Sequence, residues 1–131
     1  MPRRIGRRRT KAEIAAARKR ALAARKRHLL VTHHMTLEQY ESLKAYQGGA
    51  CLLCARAKGI SKALAVEHDH AKARLECSHD PDKQSCENCW RGLACGMCNK
   101  ILGFFRDDPA TAIRFYSWLT DPPAQRWRQT Q

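Results

Sequence analysis

Ala63-Leu64-Ala65-Val66-Glu67-His68-Asp69-His70 is the stretch that decides the fold. Residues 63–67 read as a short strand that runs into a cluster of acids and imidazoles. Upstream of it stands one CxxC pair, Cys51 and Cys54. Downstream stands a second, Cys95 and Cys98, with Asn99 directly after it. Trp90 to Ala94 reads as an antiparallel partner strand, and Gly96 onward as a helix carrying Asn99, Leu102 and Phe105. Two strands and a helix framed by thiolates make a small α+β domain.

Each CxxC places two thiolates about one turn apart, so both can reach one ion. Cys51, Cys54, Cys95 and Cys98 together complete a four-sulfur tetrahedron suited to structural Zn²⁺. The pairs lie about 40 residues apart, long for a simple zinc ribbon, so an insertion must sit between them. That insertion, about 75–90, has its own pattern: Cys77, His79, Cys86 and Cys89, a C-x-H-x6-C-x2-C set that could close a second zinc site. Ser78–Asn88 is polar and cannot hold a shape by packing, which makes a metal the simplest reason for its cysteines. The plainer alternatives are reduced buried cysteines at the first site and a loop with free thiols at the second. A dithiol redox pair lacks its βαβ setting, and the chain shows no signal peptide to suggest a secreted disulfide scaffold.

The EHDH run carries harder donors. A carboxylate and an amide oxygen suit an open Mg²⁺-like or Mn²⁺ site. On a strand His68 and His70 share one face while Glu67 and Asp69 share the other, so the turn that ends the strand must relax this alternation. A neutral His beside such a cation can deprotonate water, and the cation can stabilise a leaving phosphodiester oxygen. The pattern points to metal-assisted phosphodiester hydrolysis. Taken alone, HxH is as readily a zinc ligand or a satisfied surface histidine pair.

Flanking segments supply helices and charge. Thr10-x-x-Glu13 and Thr36-x-x-Gln39 are capping boxes. They open a helix over 11–30, with a thin stripe of Ile14, Ala17, Ala21, Leu22 and Leu29, and a helix with Leu37, Tyr40, Leu43 and Tyr46 on one inward face, stopped by Gly48-Gly49. Asp108-Pro109 opens a helix to about Leu119, with Ala112, Ile113, Tyr116 and Leu119 expected inward; residues 122–131 read as loose. Residues 1–28 hold twelve Lys or Arg against Glu13 alone, so they carry +11 of the formal +13. Arg3, Arg4, Arg7, Arg8, Arg9, Lys19, Arg20, Arg25, Lys26 and Arg27 are the candidate DNA contacts, acting through counterion release without base readout. A solubilising arm is the bland reading. No run of about 18 apolar residues is present, so no membrane span is expected. The expected division is a basic tail and helix over 1–31, the zinc-stapled domain over 32–121 and a C-terminal tail over 122–131.

Three stretches carry a family resemblance: Thr32–Cys54 (THHMTLEQYESLKAYQGGACLLC), Leu64–His70 (LAVEHDH) and Arg91–Pro109 (RGLACGMCNKILGFFRDDP). Over roughly 32–120 the chain resembles the phage recombination endonuclease VII group of ββα-metal, or HNH-like (His-Me finger), nucleases. The resemblance implies a zinc-stapled ββα fold that cuts DNA with Mg²⁺ or a similar ion, acts on branched DNA such as Holliday junctions and works as a dimer. It implies a phage-encoded protein in the cytoplasm of a bacterial host. It places His68 as general base, Glu67 and Asn99 as ligands of the catalytic cation, and His70 as support for the metal or the phosphate. Two departures stand out: Glu67 where the family usually has Asp, and the cysteine-bearing insertion in place of a short turn. The rival reading is a non-catalytic, zinc-stabilised DNA-binding protein in which Glu67 marks lost activity. A sequence-specific homing or restriction nuclease lacks a recognisable specificity module here.

Overall fold

The computed structural model describes residues 7–131. The candidate DNA contacts Arg3 and Arg4 lie outside them. In chain order the elements are α1 (Lys11–His33), α2 (Leu37–Tyr46), β1 (Ala65–His68), α3 (His70–Glu76), β2 (Trp90–Ala94), α4 (Gly96–Phe105), α5 (Pro109–Thr120) and α6 (Pro123–Gln129). Among the described residues this is a small α+β protein with six helices and one two-stranded antiparallel sheet.

Local chemistry explains where the helices start and stop. Thr10 and Thr36 accept from the N–H groups of Glu13 and Gln39, and those two side chains accept in return from the cap N–H groups. Gly48 and Gly49 take positive φ of 71° and 78°, which ends α2 and turns the chain toward Cys51. Cys95 caps α4 through its sulfur, and Asp108 caps α5 ahead of Pro109. The core gathers Leu29, Met35, Tyr40, Cys51, Leu64, Val66, Leu93, Ala94 and Cys98. Tyr40 is buried, and its hydroxyl donates to the Leu64 carbonyl at 2.7 Å, locking α2 to the lead-in of β1.

β2 runs along β1 in simple register, Ala65 opposite Ala94, Val66 opposite Leu93 and Glu67 opposite Gly92. It then slips, so that His68 faces Trp90. Arg91 is the extra residue of this bulge, and such a bulge re-aims a side chain. On the open side of β2, the buried Gln47 amide stands in for a third strand: Nε2 donates to the Leu93 carbonyl and Oε1 accepts the Leu93 N–H. Gly92 makes room, since a Cβ there would meet Gln47 Oε1 at 3.0 Å.

Several expectations need correction. α1 runs to His33 rather than ending at residue 30, and its Leu29 enters the core. Of the stripe on α1 only Leu29 is buried. Tyr46 is exposed, unlike Tyr40. The strand starts at Ala65 and ends at His68, because Asp69 caps a helix that the alternation argument treated as strand. On α5, Ala112, Ile113, Tyr116 and Leu119 are all exposed. Its contact with α4 runs instead through Phe115, whose ring lies 4.8 Å from that of Phe105. The segment expected to be loose contains α6, with Pro123 at its first position.

Candidate metal centres and active site

Cys51 and Cys54 leave the α2 turn, while Cys95 and Cys98 sit on the first turn of α4, so two knuckles face one another across the core. Their sulfurs all lie within 4.8 Å of one another, with Cys54 and Cys95 at 4.0 Å. A zinc tetrahedron with bonds of about 2.3 Å has S–S edges of about 3.8 Å, so the geometry fits. The thiols are already split in acidity. N–H groups of Ala57 and Arg56 hold Cys54 down at about 6, while burial and the neighbouring Cys95 push Cys98 up to about 12. A cation here would gain one ready thiolate and displace protons from the rest.

The second set is brought together as expected. Cys77, His79, Cys86 and Cys89 also lie within 4.8 Å of one another. Cys77 and Cys86 sulfurs are 3.5 Å apart, and Cys89 Sγ is 3.5 Å from His79 Nε2. His79 Nδ1 donates to the Asp80 carbonyl at 3.2 Å, which leaves the Nε2 lone pair turned toward the sulfurs. Burial would raise Cys86, but hydrogen bonding with Cys77 and with the Asn88 N–H outweighs it and brings it to about 7. Burial pushes Cys89 up to about 11. All seven cysteines are free thiols, and both groups could hold zinc.

Between the two sets lies the EHDH run. The rings of His68 and His70 are 4.3 Å apart, though one ends β1 and the other opens α3. Glu67 is buried, and both its oxygens accept from Arg91, Nε to Oε2 at 2.8 Å and a terminal nitrogen to Oε1. Arg91 also donates to Asp107 Oδ1, while Asp107 Oδ2 accepts from His70 Nδ1 at 3.0 Å. The result is one hydrogen-bonded chain, Glu67, Arg91, Asp107 and His70, with the His68 ring against its end. Glu67 and then Asp107 hold the Arg91 guanidinium more firmly protonated than usual. Burial would lift the Asp107 carboxyl, but Arg91 and His70 more than offset it and keep it below the ordinary carboxylate range. His68 Nε2 donates to the Pro81 carbonyl at 2.9 Å, so in the neutral ring the lone pair sits on Nδ1.

Asn99 is exposed on α4, one turn before Leu102, and Leu102 lines a surface hollow with Glu67 and Arg91. The oxygen donors suit a divalent cation in kind, and the Glu67 charge is met by Arg91. The sequence reading missed Arg91, Asp107 and Pro81. A buried carboxylate needs a cationic partner, and that rule was the one available signal for Arg91.

The family described as recombination endonuclease VII matches residues 25–121. The chain belongs to this family. Two relatives are the Gene 59 protein of Mycobacterium phage D29, 38% identical over 97 residues, and that of Mycobacterium phage L5, 36% identical over the same length. Each alignment covers 73% of this chain and 50% of the relative, so the chain spans about half the length of the curated relatives it matches. No solved structure matches it. The endonuclease VII segment therefore includes both cysteine sets, the EHDH run, Arg91 and Asp107, and leaves most of the basic arm outside.

Proposed function

We propose that this endonuclease VII family member is a divalent-metal-dependent DNA endonuclease that hydrolyses phosphodiester bonds, with β1, β2 and α4 as its ββα-metal core. The observation that carries the reading is the hydrogen-bonded chain from Glu67 through Arg91 and Asp107 to His70, whose ring lies 4.3 Å from that of His68, an imidazole whose Nδ1 has no hydrogen-bond partner among the described residues. His68 takes a proton from water at Nδ1. The water oxygen bonds to phosphorus, the bond from phosphorus to the leaving ester oxygen breaks, and that oxygen collects a proton from solvent. His70, with Nδ1 committed to Asp107, presents Nε2 toward metal or phosphate. Mg²⁺ or Mn²⁺ held by Glu67 and Asn99 would supply charge neutralisation at the leaving oxygen.

DNA is the proposed partner. The cations Arg8, Arg9, Lys19, Arg20, Lys26 and Arg27 are exposed along and before α1, while Arg7 pairs with Glu13 and Arg25 stacks 4.3 Å above the Tyr40 ring. The family description supports recombination DNA, hence branched DNA such as a Holliday junction, as the substrate to test first. A homodimer is the proposed assembly and the cytoplasm of a bacterial host the proposed location; the phage relatives support the latter. Among the described residues no helix is long and apolar enough to cross a membrane.

The second reading, a zinc-stabilised DNA-binding protein without catalysis, is favoured by the double engagement of Glu67 with Arg91. One experiment separates the two. Purified protein is incubated with linear, nicked and four-way-junction DNA, with Mg²⁺, Mn²⁺ or EDTA. Divalent-dependent cleavage that His68→Ala lowers by about 10²–10⁴-fold supports the endonuclease. Tight binding with no cleavage in either metal supports the alternative.

A further inference from the structure

The cysteine-bearing insertion stands against the proposed base at two points. Pro81, two residues after the ligand-type His79 and before Cys86, accepts through its carbonyl from His68 Nε2 at 2.9 Å. Cys89, itself ligand-type, accepts through its carbonyl from the Asp69 N–H at 2.9 Å. The opposite side of the same loop is clamped to the end of α1. Ser85 is fully buried; its N–H donates to the Thr32 carbonyl, its hydroxyl meets His33 Nδ1 at 2.9 Å, and its carbonyl accepts from His34 Nδ1 at 2.8 Å. Between Ser78 and Cys89 only Ser85 and Cys89 are buried, so hydrophobic packing does not fix where the Pro81 carbonyl lies. The Ser85 hydrogen bonds hold one side of the loop, and the ligand cluster is the feature that can hold the other, where Pro81 lies.

We propose that a metal held by Cys77, His79, Cys86 and Cys89 positions His68, by fixing the loop that puts the Pro81 carbonyl on His68 Nε2. This rests on His68 acting as the base. A carbonyl can only accept, so this contact selects the Nε2–H tautomer and keeps the Nδ1 lone pair available toward water. Pro81 is then a positioning residue acting through its backbone. With the metal gone, the carbonyl moves off, and His68 divides between tautomers and rotamers.

The test compares the full chain with Cys86→Ser and Pro81→Gly. Zinc per chain, DNA affinity, kcat and KM are measured, and ¹⁵N-detected imidazole spectra report the His68 tautomer. The wild type should hold two zincs and show the Nε2–H form. Cys86→Ser should hold one, show mixed tautomers, and lose about 10–10³-fold in kcat with KM changed less than about twofold. Pro81→Gly should keep two zincs and show a smaller change of the same kind. A Cys86→Ser protein that has lost one zinc but keeps the wild-type tautomer or kcat overturns the proposal. If Cys86→Ser does not fold, an unaltered His68 spectrum in Pro81→Gly overturns it. If the wild type cuts no DNA, the endonuclease reading fails alone, because the zinc dependence of the tautomer still decides the positioning role.

Discussion

The two cysteine sets have similar donor chemistry and opposite surroundings. Cys51 and Cys98 lie in the hydrophobic cluster with Leu29, Tyr40 and Leu93, so the first site is continuous with the core. The second stands on a polar segment with only Ser85 and Cys89 buried. At the first site a metal would add to the packing that joins α2, β2 and α4, and at the second it would take the place of packing. On the proposals above, losing the first should cost the fold, and losing the second should release one loop from His68.

The largest expected effect belongs to the first site. Structural zinc contributes about 10–16 kcal/mol of apparent binding free energy in small finger peptides, as large as the whole stability of a typical domain. Cys98→Ser should give molten or insoluble protein, read as lost near-ultraviolet circular dichroism. A cooperative thermal transition in that variant would erase the contrast between the sites. Cys86→Ser/Cys89→Ser should instead retain one zinc and a cooperative transition, lowered by about 1–3 kcal/mol in denaturant titration. Full unfolding would mean that both sites belong to one cooperative core.

A finer effect sits where the second region meets α1. Burial, followed by the imidazoles of His28, His68 and His34, holds His33 down at about 4. Its folded value lies below the ordinary value of 6.5, so the stability linked to neutral His33 is complete above about pH 6.5. It is lost as pH falls toward 4. Because the ring is half exposed, the loss by pH 5 is on the order of 1 kcal/mol. Comparing wild type with His33→Gln at pH 7 and pH 5 isolates it; identical pH slopes would remove His33 as the acid-labile contact.

Removing residues 1–9, which leaves the Thr10 cap in place, is the smallest structural change and a control for both sites. Zinc content and stability should stay put, while the slope of log K for DNA against log salt falls by about 4 if the five arginines of this arm, Arg3, Arg4, Arg7, Arg8 and Arg9, meet phosphates. An unchanged slope would show that the arm makes no phosphate contact.

What the sequence made legible follows from local rules. Both capping boxes, the Gly48-Gly49 stop and the Asp108-Pro109 start depend on neighbours a few residues away, and all stand where expected. The CxxC spacings made each half of the first metal site visible. Arg91 and Asp107 were not legible, because their roles arise from a one-residue slip in β2 and from the turn after α4, where Arg106 and Asp107 take positive φ. Helix α3 was hidden because Asp69 looked like a member of the metal run, whereas its carboxylate caps Lys72 N–H. The α5 stripe misled for another reason. Periodicity reports which face could be buried, but all four stripe residues stay exposed, and the helix meets Phe105 through Phe115 outside the stripe.

The Gln47 amide has a consequence for how this protein behaves in a crowd. A two-stranded sheet has two raw edges, and an open edge invites strands from other molecules to add on. At Leu93 both backbone groups are already taken, N–H and carbonyl together, by one side chain. Gln47 thus works as a chaperone built into the chain, refusing a foreign strand the rung it would need.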